Sequence, residues 1–294
     1  MANLKEVRDR IGSVNSTRQI TSAMKLVSAA KLKRAQDAVT GIRPYAQKMT
    51  EILANVSASL DPSENVFSEK REPNKVLYIT ITSNKGLCGS FNSHLNKKVK
   101  AEIENSDAES AEFSAIGKKA YEYFGKLHVL TSGKGIPVES NEILDNISFE
   151  IVAEFAEKIM KAYENGEFDR VYVAYNQFVN AATQKPVVEQ YLPVVPPEKK
   201  EGASGSVDYI YEPDKKQILE ELIPNSLKTQ LFKAVLDSNA AEHGARMTAM
   251  HQATENATDL LKELKLSYNK ARQAAITTEI LEITSGAEAL ASGS

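Results

Sequence analysis

Apolar and small residues recur near the start of the chain at Leu4, Val7, Ile11, Val14, Thr17, Ile20, Met24 and Val27. They continue at Lys31, Ala35, Ala38, Ile42, Tyr45, Met49, Ile52 and Val56. Steps of three and four alternate with a mean near 3.5, the repeat of a coiled-coil seam. The pattern predicts one long helix with Asn3 as N-cap and Glu6 three residues later. At 1.5 Å per residue, about 55 residues make a rod of roughly 80 Å. Lys31 sits on this seam as an exception, and Pro44 is expected to kink or interrupt the helix.

After a polar, proline-containing break over 61–74, the period changes. Lys75–Thr82 reads as a strand buried on both faces. A glycine-containing turn leads to a helix near Asn92–Glu104. Phe113–Gly117 reads as a strand, Lys118–Phe124 as a short helix and Leu127–Leu130 as a further strand. An amphipathic helix follows over Ile147–Asn165, then strand Arg170–Tyr175 and the extended segment Val187–Val195. Alternating strands and helices favour a parallel βαβ sheet. Residues 196–206 read as an exposed loop.

A second long helix starts near Tyr211–Asp214, with Pro213 suited to the first turn. Its seam runs through Leu222, Leu227, Leu231, Val235, Ala241, Ala245, Thr248, Ala253, Ala257, Leu260, Leu264, Ala271, Ala275, Thr278 and Leu281. Gly286 is the expected stop. The two terminal helices, each apolar along one stripe, should pack on each other and run antiparallel. The expected fold class is α/β: a long antiparallel two-helix coiled coil from the N- and C-terminal segments plus a central Rossmann-like α/β domain. The expected division is 1–60, 75–207 and 208–294. The last turns of the second helix carry Ile276, Ile280, Leu281, Ile283 and Leu290 without Lys or Arg, so a partner should enclose this tip.

Composition narrows the function. The chain has 294 residues, 42% apolar and 26% charged, which excludes collagen-like, low-complexity and wholly disordered classes. No apolar run approaches the roughly 20 residues of a membrane span. The single cysteine, Cys88, excludes an internal disulfide and a multi-cysteine metal site. His94, His128, His243 and His251 show neither HExxH nor HxH spacing. A net charge of −3 gives no case for nucleic acid. Charge is nonetheless uneven: residues 1–50 hold ten Lys/Arg against three Asp/Glu. With no apolar core for a secretory signal, this segment reads as mature protein.

The turn Ser83-Asn84-Lys85-Gly86-Leu87-Cys88-Gly89-Ser90 follows a strand and precedes a helix, where phosphates bind in other proteins. Its G-x-x-G spacing matches neither dinucleotide nor P-loop motifs. Cys88 has no visible base beside it, so a nucleophilic role is disfavoured.

Several segments carry a resemblance. The stretch Ile276-Thr277-Thr278-Glu279-Ile280-Leu281-Glu282-Ile283-Thr284-Ser285-Gly286-Ala287 is similar to the C-terminal signature of the γ subunit family of proton-translocating ATP synthases. Arg10–Gln36, Ser83–Asn92, Tyr209–Asp214, Ala245–Met250 and Tyr268–Thr277 resemble the same family, in the same order. The resemblance is dense in both helices and sparse between them. It implies a rotor shaft standing within three α and three β subunits. It places the central domain on a membrane c ring with ε alongside, and it implies no cofactor and no catalytic residue of the chain's own. Membrane association would be only through partners, at the cytoplasmic face of a bacterial inner membrane.

Residue by residue, the resemblance sets Lys25, Lys31, Lys33 and Arg34 against an acidic lever loop on β. It makes Met24, Arg246, Gln273 and Thr277 coupling positions, although Arg246 could equally pair with Glu242 four residues earlier. Tyr209, Tyr211 and Glu212 would form a foot on the c ring, with Arg43-Pro44-Tyr45 at a similar level. Ile276, Glu279, Ile280, Ile283 and Leu290 would form the tip. A lone cysteine rules out the dithiol switch of some photosynthetic relatives. Two rival readings remain: a passive coiled-coil scaffold, and an enzyme built on the central domain with the helices as oligomerisation arms.

Overall fold

The structure is a computed structural model, which describes residues 4–57, 66–69, 71–106, 108–127, 135–194 and 215–292. In chain order the elements are α1 (Leu4–Ser57), β1 (Lys75–Ile81), α2 (Phe91–Glu104), β2 (Ser110–Ile116) and α3 (Lys118–Phe124). They continue as α4 (Glu142–Asp145), α5 (Phe149–Glu164), β3 (Arg170–Phe178), β4 (Gln184–Leu192) and α6 (Lys215–Ser292). The chain forms two compact units. The larger is Ser28–Thr248; the smaller combines Met1–Val27 with Ala249–Ser294.

The larger unit is built on a four-stranded sheet of order β2-β1-β3-β4. β1 pairs in parallel with β2 and with β3, so it is central. Its β-branched and aromatic run is buried from Val76 to Ile81, as a strand covered on both faces must be. Alternation then sorts its side chains. Leu77, Ile79 and Ile81 join Val152, Phe155, Ile159 and Tyr163 of α5 and Ile223, Leu227, Leu231 and Val235 of α6. Val76 and Tyr78 face Leu95 and Val99 of α2 and Phe124 of α3.

β4 is antiparallel to β3, so the sheet is mixed where the alternating pattern favours a wholly parallel one. The reason is the connection. Only 179–183 separate the strands, too few for a crossover. Asn180 accepts the amides of Ala182 and Thr183 at 3.0 and 2.8 Å, an Asx-type closure that reverses the chain. The expected strand at Leu127–Leu130 is not found at its start, because Gly125–Leu127 is a 3-10 turn; residues 128–130 lie outside the described residues.

α6 does two jobs in this unit. Besides covering the sheet, it packs Leu236 and Ala240 against Ala35 and Val39 of α1. Polar contacts fix it to the ends of the strands. Ser238 donates to the carbonyl of Ile81 at 3.3 Å, and Thr248 lies 3.2 Å from the carbonyl of Ala181. Lys228 pairs with Glu157 of α5 at 2.6 Å. His243 on the same helix is half-buried, and burial, assisted by Lys31 and Arg246, lowers its pKa to about 4.

In the smaller unit, α1 buries Val7 and Thr21, and α6 buries Met250, Ala257 and Leu261. The seven- and fourteen-residue steps are those of a heptad seam. The hydroxyls of Thr21 and Thr254 lie 2.8 Å apart, and Lys25 meets His251 at 3.2 Å. Four residues forward on α1 thus match three back on α6, so the helices are antiparallel.

Both helices depart from the expected pattern in detail. α1 runs through Pro44 without a break; Pro44 is exposed, so the carbonyl freed by its missing N–H can turn to water. α6 continues through Gly286 to Ser292, because Ala287-Glu288-Ala289-Leu290-Ala291 are mostly strong helix formers that outweigh one glycine. The seam also lies elsewhere. Ile20 and Val27 are 60% and 57% exposed, while Thr21 and Ser28 are buried. Close helix contact selects small residues, and the larger apolar ones face out. Lys31 is exposed and Leu32 takes the buried place, which removes the apparent seam exception. At the far end, Leu281 is 59% exposed and off any seam.

Two tests follow from these environments. Gly117 has φ +109° and an added Cβ would stand 2.3 Å from the Thr82 carbonyl oxygen, whereas one at helical Gly12 meets nothing within 4 Å. Gly117→Ala should therefore cost on the order of 2–4 kcal/mol, and Gly12→Ala should add about 0.5–1 kcal/mol, read as shifts in the thermal unfolding of the full chain. For His243 the native state binds fewer protons than the unfolded one between pH 6.5 and about 4. Stability is complete above the unfolded value and is lost as pH falls. Going from pH 7 to 5 should cost about 2 kcal/mol from this group, and His243→Gln should flatten that part of the denaturation-against-pH curve.

Candidate functional site

The G-x-x-G turn between β1 and α2 is consumed by internal bonds. Ser83 donates its amide to Asn92 Oδ1 at 3.0 Å and its hydroxyl to the Lys85 carbonyl at 2.7 Å. Asn92 donates to Cys88 Sγ at 3.2 Å. Cys88 is 1% exposed, and burial pushes its thiol up, with Ser83 and Arg246 opposing. That is the reverse of an activated nucleophile. Leu87 is held at φ +64° and is 66% exposed.

Arg246 of α6 closes this turn. Its guanidinium donates to the carbonyls of Lys85, at 3.1 Å, and Gly86. It also pairs with Glu242 at 2.6 Å. Carbonyls rather than amides of the turn therefore converge, on a cation. A phosphate cradle requires the opposite polarity.

The basic positions on α1 have different neighbours. Lys25, in the smaller unit, is engaged by His251, whose other nitrogen lies 3.7 Å from Glu255. In the larger unit Lys33 pairs with Asp37 at 2.9 Å. Lys31 and Arg34 are exposed and, three residues apart, are neighbours on the helix.

Among the expected coupling positions, Met24 is half-buried, while Gln273 and Thr277 are exposed. Thr277 donates to the carbonyl of Gln273 at 2.9 Å, so these two share one turn. They do not meet Met24. Lys25 stands level with His251, and Gln273 is a further twenty-two residues along α6, about 33 Å of helix. Arg246 belongs to the larger unit.

From Arg272 to Glu288 every residue of α6 is exposed. Ile276, Ile280, Leu281 and Ile283 are 46%, 55%, 59% and 67% exposed, and Glu279 lies among them. Leu290 is on the helix backbone, but its side chain is outside the described residues, as are Tyr209, Tyr211 and Glu212 entirely. Sequence reasoning missed a second exposed apolar set on α1: Ile20, Leu26 and Val27. Their apolar character was visible; which side of the seam they occupy was not. It named Arg43 only at the level of the foot and missed its partner: the guanidinium turns to Asp237 of α6 at 3.5 Å. Among the described residues there is no group of three or more His, Cys, Asp or Glu able to hold a metal, and no helix long and apolar enough to cross a membrane.

These surfaces can be set beside known proteins. The ATP synthase family model matches residues 3–290. The ATP synthase gamma chain of Flavobacterium johnsoniae is 53% identical over 291 residues, 99% of both chains. That of Christiangramia forsetii is 51% identical and that of Geobacter metallireducens 44%, again over 99% of both. Among solved structures, a chain of the Euglena gracilis mitochondrial ATP synthase (OSCP/F1/c-ring, rotational state 3) matches with TM-score 0.71. It is 23% identical, over 99% of this chain and 95% of that one. A chain of the Tetrahymena thermophila mitochondrial ATP synthase central stalk and c ring matches at TM-score 0.59 and 24% identity, over 80% and 99%. At such identities the two structures speak for the fold, the long helices with their central sheet. The sequence relatives go further, and the chain belongs to the ATP synthase gamma chain family.

Proposed function

We propose that this chain is the central rotor shaft of a proton-translocating ATP synthase, coupling rotation of a membrane c ring to the conformational cycle of catalytic β subunits. The observation that carries the reading is identity of 53% over 99% of the chain with a gamma chain. The exposed apolar sets on both helices support it. A shaft turning inside a sleeve needs an apolar surface without directional bonds that would favour one angle. Ile276, Ile280 and Ile283, with Leu290 beyond them, supply such a tip; Ile20, Leu26 and Val27 supply a second apolar face.

The chain itself is a non-catalytic subunit in this reading. Its partners are three α and three β subunits, ε and the c ring, and it is held at the cytoplasmic face of a bacterial inner membrane by them. Its parts are the helices 1–60 and 208–294 and the domain 75–207. Lys31 and Arg34, with Lys25 and Lys33 on the same helix, complement an acidic lever on β. Complementary charge of this kind sets register and encounter more than affinity. Met24, Gln273 and Thr277 contribute to coupling as separate contacts, and Arg246 acts through the turn it closes. Tyr209, Tyr211 and Glu212 form the foot on the c ring, where tyrosines suit an interface with one apolar body and one polar end. Glu279 and Glu282 are the charges the tip presents among its isoleucines.

Co-expression of the organism's α and β subunits with and without this chain tests the assignment. Stoichiometric incorporation, dependence of ATP hydrolysis on the chain and stepwise turning of a bead fixed to its central domain are expected. Equal hydrolysis without it, and no co-purification, would overturn the reading. In the assembled complex, Lys31→Glu combined with Arg34→Glu should lower turnover several-fold; turnover at the wild-type rate would remove the basic face from the mechanism. Ile280→Lys should introduce a dwell at one angle in the rotation record.

A further inference from the structure

Among the described residues Asp237 is the buried charged side chain, and the shaft reading leaves it without a task. It lies on α6 beside Leu236, whose neighbours are Ala35, Val39 and Ala240. It is 1% exposed, and neither carboxylate oxygen has a hydrogen-bond partner among the described residues. The guanidinium of Arg43 on α1 stands 3.5 Å from Oδ1 and also donates to the carbonyl of Phe178, at the end of β3, at 3.4 Å. Lys233 stands one turn back on α6. Glu189 of β4 and Tyr175 of β3 face the same space, and the Tyr175 hydroxyl donates to Glu189 at 3.1 Å. Burial pushes the Asp237 carboxyl above the usual carboxylate range, while Lys233 and Arg43 pull it back.

A buried carboxylate with so little compensation is a poor stabiliser; an apolar residue of similar size would hold the fold as well or better. Its neighbours suggest what it does instead. The layers where α1 meets α6 here are apolar, mainly Ala35, Val39, Leu236 and Ala240. Sliding one helix by a turn would set Ala35 against Leu236 or Gly244, and Val39 against Phe232 or Ala240. None of those meetings exposes a polar group, so apolar contact specifies the lengthwise register weakly. A single polar pair beside an apolar seam specifies it strongly, at a cost in stability. Arg43 makes the restriction three-way, because one guanidinium must reach α6 and the end of β3 at once.

We propose that Asp237 and Arg43 are positioning residues that lock the register of α1 against α6 and the sheet. The lock is a property of the fold. Its consequence, that the helices transmit rotation without slipping, rests on the rotor reading.

The test uses the assembled ATP synthase carrying this chain with Cys88→Ser. Two cysteine pairs report register: Ala35→Cys with Ala240→Cys for the native one, and Ala35→Cys with Leu236→Cys for a one-turn slip. Oxidation and non-reducing electrophoresis read the internal cross-link. With Arg43 and Asp237 present, only the native pair should close. In the apolar double variant Arg43→Leu with Asp237→Leu, the slipped pair should close in comparable yield although the complex resists heat as well as before. Protons moved per ATP hydrolysed should fall at least three-fold. Asp237→Asn keeps the shape and removes the charge, and it should give the same slip if the double variant does not assemble. Closure of the native pair alone in these variants would overturn the proposal. Slipped closure with unchanged proton transport would uphold the lock and count against the rotor reading.

Discussion

Two helices that lie side by side over many turns can approach closely only where the residues between them are small, and the rest of this protein is arranged around that restriction. In the smaller unit Thr21 and Ala257 are buried, and the hydroxyls of Thr21 and Thr254 nearly touch. In the larger unit Ser28, Ala35 and Ala240 are buried, beside Leu32, Val39 and Leu236. A seam of this kind leaves the larger apolar side chains outside. Ile20, Val27 and Leu26 on α1 are exposed for that reason. Apolar faces of this kind along the helices are what a surrounding partner would cover, so the local rule for helix contact already points to assembly.

The same restriction explains how α6 can serve two masters in the larger unit. Between Ile223 and Ala245 it buries residues on nearly every side. Leucine and valine meet the sheet and α5, while alanine meets α1. A helix enclosed in this way has few places for polar groups, and three of those near the sheet find a partner across an element. Ser238 reaches the end of β1, Thr248 the β3–β4 turn, and Arg246 the turn after β1. These bonds fall at loop ends of the sheet, where carbonyls would otherwise face the apolar side of α6 unpaired.

Much of this was legible from spacing. The two long helices followed from a sustained repeat near 3.5, and β1, β3 and the short α3 from changes of period, because burial on two faces leaves continuous apolar runs. The sense of β4 was not legible from alternation; it follows from the length of 179–183 and the Asx closure at Asn180. The seam of α1 holds at Val7 and Ala35 but was misplaced by one position at Ile20, Val27 and Lys31. Hydrophobicity alone ranks Ile20 above Thr21 and Val27 above Ser28, whereas packing distance ranks them the other way. The C-terminal motif suggested a tip; the structure shows that Ile276, Ile280 and Ile283 of that stretch are exposed. The pairing of Arg43 with Asp237 could not be found in this way, since the two are nearly two hundred residues apart in sequence and no short-range pattern links them.

The electrostatics of the helices refine the basic stretch that composition first pointed out. A run of cations looks uniform in sequence, yet each is set by what stands one turn away or across the seam. Lys33 is answered by Asp37 and Lys25 by a histidine, whereas Lys31 and Arg34 face solvent. Near Lys31, His243 is held neutral by burial and by the cations themselves, so it adds no charge there at neutral pH. Lys31 and Arg34, with Lys25 whose charge an imidazole does not cancel, therefore dominate the potential a partner would meet along this stretch. Arg246 contributes by another route. Its charge is spent on Glu242 and on two turn carbonyls, and what it presents outward is the exposed Leu87 that those bonds hold in place. In the rotor reading proposed above, charge on α1 and an apolar knob beside α6 would be distinct means of recognition, and substitutions at the two should differ in their response to salt: strong at Lys31 and Arg34, weak at Leu87.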